Sequence, residues 1–354
     1  MTDVFKNSKS GILYFWVHFV TEVVCFTLVG RYTGGFTTIW MLTLSYDVLA
    51  FMPQAPLGYI SDKFKKIPLG VIGLGLLACA VVLFETVPNP YISLVVMTLG
   101  NICTHVAGAE DSLRTSGGKL TPAALFVSGG SFGLISGKLL ADTALSSYLL
   151  IILIAPAIPL AVISHLSREK TDKLNDNPCE HFNYANPKVA AGVVVLIAVI
   201  VVAVRGYMGY GIPTSWNKTV AQTVALYVIM GVGKALGGIV TDLWGMKKTA
   251  LVSVAAALPF LLIGDNNMYL SLIGVMFFSM TMAITLGLLV SVLKRTPGLA
   301  FGLTTIGLTI GTVPTFFYKL EGFKANCIML SSLTVLCLVC LFIIIRKDVK
   351  KNEH

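Results

Sequence analysis

Gln54-Ala-Pro-Leu-Gly58-Tyr-Ile-Ser-Asp62-Lys-Phe-Lys-Lys66 closes one long apolar stretch of the chain. Lys234-Ala-Leu-Gly-Gly238-Ile-Val-Thr-Asp242-Leu-Trp-Gly245-Met-Lys247-Lys248 closes another, about half the chain further on. Setting Asp62 on Asp242 also sets Gly58 on Gly238 and Ala55 on Ala235. This is the pattern of one hydrophobic unit present twice. A second echo agrees with it. Pro122-x-x-x-Phe126 and Pro297-x-x-x-Phe301 each open an apolar stretch. Glycines four apart follow in both, at Gly129, Gly133 and Gly137 and at Gly307 and Gly311. Small residues at that spacing let two helix backbones approach closely.

Working outward, the composition sets the class. Of the 354 residues, 55% are hydrophobic and 12% are charged. A soluble domain carries roughly twice that charge. Such a chain cannot cover a water-facing surface, so the lipid bilayer is its expected surroundings. The net charge of +9 then reflects loop lysines and arginines and calls for no nucleic acid. Six of the seven cysteines (Cys25, Cys79, Cys103, Cys327, Cys337 and Cys340) fall in apolar stretches, with no Cys-x-x-Cys pair. They read as small packing residues.

A spanning helix needs about 20 mostly apolar residues. Twelve stretches qualify: 11–30, 37–60, 67–86, 91–109, 120–140, 146–165, 188–207, 219–241, 249–264, 268–290, 298–317 and 325–345. The expected fold is therefore all-α and transmembrane, with two six-helix units over 1–165 and 188–354. The polar segment 166–187 is the expected cytoplasmic linker. The first stretch carries His18 and Glu22, lacks a small-residue cleavage site, and is expected to remain as a helix. Basic residues set the orientation. One side holds Lys6, Lys9, Lys63, Lys65, Lys66, Arg114, Lys119, Arg168, Lys170, Lys173, Lys188, Lys247, Lys248, Lys294, Arg295, Arg346, Lys347, Lys350 and Lys351, the other Arg31, Lys218, Lys319 and Lys324. The positive-inside rule puts both termini in the cytoplasm. Trp16 and Trp244 then lie at the inner interface, Trp40 and Trp216 at the outer one.

At this point the chain resembles the major facilitator superfamily, whose second-to-third helix loop reads roughly Gly-x-x-x-Asp-Arg-x-Gly-Arg-Arg. Gly58, Asp62, Lys63, Lys65 and Lys66 match it, with lysine for arginine and without the second glycine. Gly238, Asp242, Gly245, Lys247 and Lys248 match it again. The resemblance implies a secondary transporter of two six-helix bundles. It implies that these residues form a conformational latch and do not touch the solute. Each aspartate is expected to pair with nearby Lys or Arg and to accept hydrogen bonds from a neighbouring helix N-terminus.

Ionisable groups at membrane depth cost roughly 2.5–3.5 kcal/mol or more each, so they usually serve a function. Glu22 lies midway along the first helix, with His18 one turn before it on the same face. Asp47 lies midway along the second, and His105 within the fourth. These four are the proton-coupling candidates, with a structural pair as the alternative for the carboxylates. Lys234, Arg205, Asn101, Gln54 and Tyr227 are the candidates to bind solute. Arg205 may equally reach outward to the interface, two buried cations could equally neutralise the two carboxylates, and Lys138 is expected to pair locally with Asp142. No nucleotide-binding loop, no cofactor, no metal-ligand spacing and no catalytic triad is read, so the chain is expected not to be an enzyme.

The function expected is proton-coupled movement of a small organic solute, an anion by preference, across the cytoplasmic membrane by a monomer. Proton-driven export of amphipathic or cationic compounds and a non-transporting membrane sensor are the alternatives.

Overall fold

The structure is a computed structural model that describes residues 4–5, 7–32, 39–318, 320 and 322–346, with only the backbone of residues 39 and 40. Lys6, Lys319, Lys347, Lys350, Lys351 and the Trp40 side chain lie outside the described residues. Thirteen α-helices are described: α1 (Lys9–Arg31), α2 (Ile39–Phe51), α3 (Gln54–Lys63), α4 (Leu69–Thr86), α5 (Pro90–Arg114), α6 (Thr121–Ala141), α7 (Leu149–Leu174), α8 (Ala191–Gly211), α9 (Val220–Trp244), α10 (Met246–Ile263), α11 (Met268–Val292), α12 (Pro297–Phe317) and α13 (Phe323–Ile344). Eleven of them are long and apolar enough to cross a bilayer.

The stretch expected as one second helix is two, α2 and α3, meeting at Met52 and Pro53. Pro53 lacks the N–H that a continuous ladder would use. Gln54 fills part of the break by donating from Nε2 to the Ala50 carbonyl at 2.8 Å. The sixth apolar stretch also continues as helix past its expected end at 165. α7 runs on to Leu174, because the polar residues after 165 belong to a buried ionic network.

α1 packs on α5, α6 and α7, and α4 packs on α5 and α7. In the second part of the chain, α8 packs on α11, α12 and α13, while α9 and α10 pack on α11. The seams between these groups are α6 with α9 and α3 with α12. The glycine rows do what their spacing predicts. Cβ atoms at Gly129, Gly133 and Gly137 would collide with the α1 backbone at Phe15, Phe19 and Val23. Those at Gly307 and Gly311 would collide with α8 at Val199 and Ala203. α6 on α1 and α12 on α8 are thus matching contacts.

The segment after α7 is docked, not loose. Cys179 and Phe182 are fully buried. Burial pushes the Cys179 thiol up to about 12. The Tyr184 amide donates to Ser291 Oγ at 3.0 Å, and Arg346 N donates to the Tyr184 carbonyl at 2.8 Å. Lys294 Nζ donates to the Glu180 carbonyl at 2.9 Å and to Asn183 Oδ1 at 2.7 Å. Trp16 and Trp244 are exposed. Trp216 is buried.

Candidate functional site

Two polar assemblies stand out, one at the seams and one in the middle of the helices. At the first seam Asp62, on the last turn of α3, accepts from the Gly298 and Leu299 amides at 3.1 and 3.0 Å. These are the free N–H groups that open α12, where the helix dipole favours an anion. At the second seam Asp242, on the last turn of α9, accepts from the Leu120 and Thr121 amides at 3.0 and 2.8 Å and from Thr121 Oγ1 at 2.6 Å. These groups open α6. The two aspartates therefore cap each other's opposite helix. The paired glycines allow it: a Cβ at Gly58 would strike the Gly298 backbone, and one at Gly238 would strike Leu120 and Ala124.

The cations beside the aspartates differ from expectation. Among the described residues Asp62 pairs with Arg114 of α5, Nη2 to Oδ1 at 3.0 Å, and with none of the neighbouring lysines. Lys63 lies over the Tyr59 ring at 4.4 Å and Lys247 over the Phe342 ring at 4.1 Å. The reason is helical geometry. A residue next to the aspartate in sequence points about 100° away from it. Asp242 has no arginine. Its extra partner is the Tyr184 hydroxyl at 3.4 Å, which also donates to the Gly118 carbonyl at 3.1 Å. Burial first, and the Asp242 charge second, hold the Tyr184 phenol above its ordinary range.

Behind Asp62 lies a network that sequence reasoning missed. Arg168 of α7 is 1% exposed. Its Nη1 lies 2.8 Å from Glu110 Oε2 and 3.3 Å from Asp111 Oδ1. It also donates to the Lys65 carbonyl. Ser61 Oγ donates to Glu110 Oε2 at 2.9 Å, and Arg114 reaches Asp172 at 3.4 Å. The signal available was density: Glu110, Asp111 and Arg114 crowd the last turns of an otherwise apolar stretch.

The second assembly centres on Glu22. His18 Nε2 lies 3.7 Å from Glu22 Oε1, and His105 Nε2 lies 3.3 Å from the same oxygen. The rings meet edge to face at 4.3 Å. Asn101 donates from Nδ2 to Glu22 Oε1 and lies 3.0 Å from the Tyr46 hydroxyl as well. His18 Nδ1 is 2.9 Å from the Phe126 carbonyl, and His105 Nδ1 is 2.9 Å from the Asn101 carbonyl. His18, Glu22, Asn101 and His105 are all buried. The spacing of His18 and Glu22 was legible. That α5 adds His105 and Asn101 to the same oxygen was not, because 79 residues separate Glu22 from Asn101.

The remaining candidates are spread around this centre. Lys234, midway along α9, is half-buried and makes no hydrogen bond or ion pair among the described residues. The charges of Glu22 and Arg205 act on it. Arg205 turns away, donating to the Phe278 carbonyl at 2.7 Å with its guanidinium 4.8 Å from that ring. It lies in a recess beside Thr281, Thr334 and Cys337. Tyr227 lies across the α6–α9 seam, its hydroxyl 3.2 Å from Lys138 Nζ. That contact replaces the expected Lys138–Asp142 pair. Asp142 sits past the end of α6 as its C-cap. Asp47 is half-buried, within range of the charges of Glu22 and Lys138.

No family model and no curated protein matches the chain. Solved structures do. A major facilitator superfamily transporter, FucP, in the outward conformation is 13% identical over 99% of this chain and 100% of its own, with a TM-score of 0.64. An Escherichia coli fucose:proton symporter structure is 14% identical over 97% and 98%, with a TM-score of 0.60. The human organic anion transporter MFSD10 is 14% identical over 94% and 99%, with a TM-score of 0.55. At these identities the likeness carries architecture alone. With eleven helices of bilayer length, this chain is a multi-pass membrane protein with the fold of the major facilitator superfamily transporters.

Proposed function

We propose that this protein is a secondary transporter that moves a small organic anion across the cytoplasmic membrane by alternating access, driven by protons. α2 and α3 together make a twelfth crossing, with both termini in the cytoplasm. Residues 1–165 and 188–354 are the two moving halves, joined by 166–187, in a monomer. The observation that carries the reading is the reciprocal cap: Asp62 holds the start of α12, and Asp242 holds the start of α6. Each bond crosses a seam, so both must open for the halves to rock. Gly58, Asp62, Gly238 and Asp242 act as the latch, with Lys63, Lys66, Lys247 and Lys248 setting topology around it.

In this reading Lys234 receives the anionic group, since its ammonium has no partner of its own. Asp47 carries the proton, facing the charges of Glu22 and Lys138. Glu22, His18 and His105 are the further proton-coupling positions. Asn101 holds Glu22 in place, while Gln54 and Arg205 shape the walls and Tyr227 ties α9 to α6. Two of the structural neighbours, one titled a fucose:proton symporter and one an organic anion transporter, are consistent with it.

The test is flux in proteoliposomes with an imposed pH gradient and an internal pH dye, over a panel of small anions, sugars and lipophilic cations. Proton movement that requires an anion, and is lost in Asp47→Asn and Lys234→Ala, is the expected result. Movement driven by lipophilic cations and untouched by Lys234→Ala would make the protein an exporter. Binding without any flux would make it a sensor.

A further inference from the structure

The two histidines beside Glu22 are wired alike. Each Nδ1 lies 2.9 Å from a backbone carbonyl, of Phe126 for His18 and of Asn101 for His105. A carbonyl oxygen only accepts, so each Nδ1 carries the ring hydrogen. A neutral ring then presents Nε2 as a lone pair. Both lone pairs converge on Glu22 Oε1, at 3.7 and 3.3 Å. Three electron pairs facing one another in a buried site repel unless a cation lies among them.

We propose that His18 Nε2, His105 Nε2 and Glu22 Oε1 bind a divalent transition-metal ion. The three donor atoms lie within 4.8 Å of one another. Tetrahedral bonds of about 2.0–2.1 Å place neighbouring donors about 3.3–3.4 Å apart, close to the 3.7 and 3.3 Å that separate Glu22 Oε1 from the His18 and His105 nitrogens. Imidazole held through its other nitrogen by a carbonyl is the usual outer support of a metal-ligating histidine. Asn101 steadies the carboxylate from Nδ2 at 3.0 Å, and its own Oδ1, fully buried, has no hydrogen-bond partner among the described residues. Two imidazoles with one carboxylate select Zn2+, Co2+ or Ni2+ over Mg2+ and Ca2+, which take oxygen donors. Three protein ligands leave a fourth position open for water or a solute group. Lys234 opposes the ion, since its charge acts on Glu22 and on both rings. This site goes beyond the transport reading and does not rest on it.

The experiment is calorimetric titration of the purified, tag-free full chain in detergent with Zn2+, and with Mg2+ as the control. The expected result is one Zn2+ per chain and no Mg2+. His105→Ala and Glu22→Gln should each weaken Zn2+ at least tenfold. Lys234→Ala should tighten it. His165→Ala, which removes the separate His165–Glu169 pair on α7 at 3.5 Å, should change nothing. Co2+ added to the unmodified protein should give the strong visible bands of four-coordinate cobalt, a readout that needs no variant to fold. Absence of Zn2+ binding, binding indifferent to His105→Ala and Glu22→Gln, or only weak six-coordinate cobalt bands would each overturn the proposal and leave a site that holds a proton alone.

Discussion

Arg168 answers two carboxylates at once, with Glu110 at 2.8 Å and Asp111 at 3.3 Å, and all three side chains are 1% exposed. Removing one member of a buried ion pair leaves its partners uncompensated, at a cost of about 3–5 kcal/mol. Arg168→Ala should therefore lower the melting temperature in detergent by many degrees, whereas Lys170→Ala on the same helix should leave it unchanged. Equal, small effects from both would show that the network contributes little. Gly58 has a different weakness. A Cβ there meets the Gly298 backbone, so Gly58→Val should keep α3 off α12 and abolish flux while the protein still purifies as a folded monomer. Normal flux in that variant would mean the seam never closes this tightly. Asp62 and Asp242 were legible because the sequence repeats them. Glu110 and Asp111 were not, since the second unit carries no Asp or Glu between Asp265 and Glu321 to echo them.

α6 and α12 are the two elements that everything crosses. Each lays a glycine row on the first helix of its own group and has its N-terminus capped by the aspartate of the other. The rows could be read from their four-residue spacing alone. The break between α2 and α3 was less visible, because the apolar run continues through Pro53. The end of α7 was misread for the opposite reason. Its last turns are polar, and Arg168 and Asp172 find their partners on α5 and at the Lys65 carbonyl beyond α3. The linker beyond it contributes Tyr184 to the Asp242 cap, which no spacing announces. Cys179 reports on this element. Buried, and with its thiol held up to about 12, it should react slowly with a water-soluble maleimide at neutral pH in a background where it is the single cysteine. Asp242→Asn should speed that reaction at least tenfold by releasing the linker. An unchanged rate would detach the linker from the latch.

As a whole the molecule is held at one end by the two caps and the docked linker, and in the proposed transport cycle this end is the closed side. A hydrogen bond to a charged group is worth about 1.5–3 kcal/mol, and about 1.4 kcal/mol shifts a two-state population tenfold. Losing the charge of one aspartate should therefore shift the balance toward the open side by tenfold or more. The whole-chain architecture was largely legible from composition, the repeated loop and the count of apolar stretches. The grouping of Glu22, His18 and His105 needed three dimensions. The most direct measurement is the distance between spin labels placed at Phe64→Cys and Arg295→Cys, both on exposed positions flanking the α3–α12 seam, in a background lacking the native cysteines. The account predicts a short and a long population in the reconstituted protein, with the long one rising strongly in Asp62→Asn. A single distance, the same in both proteins, would contradict it.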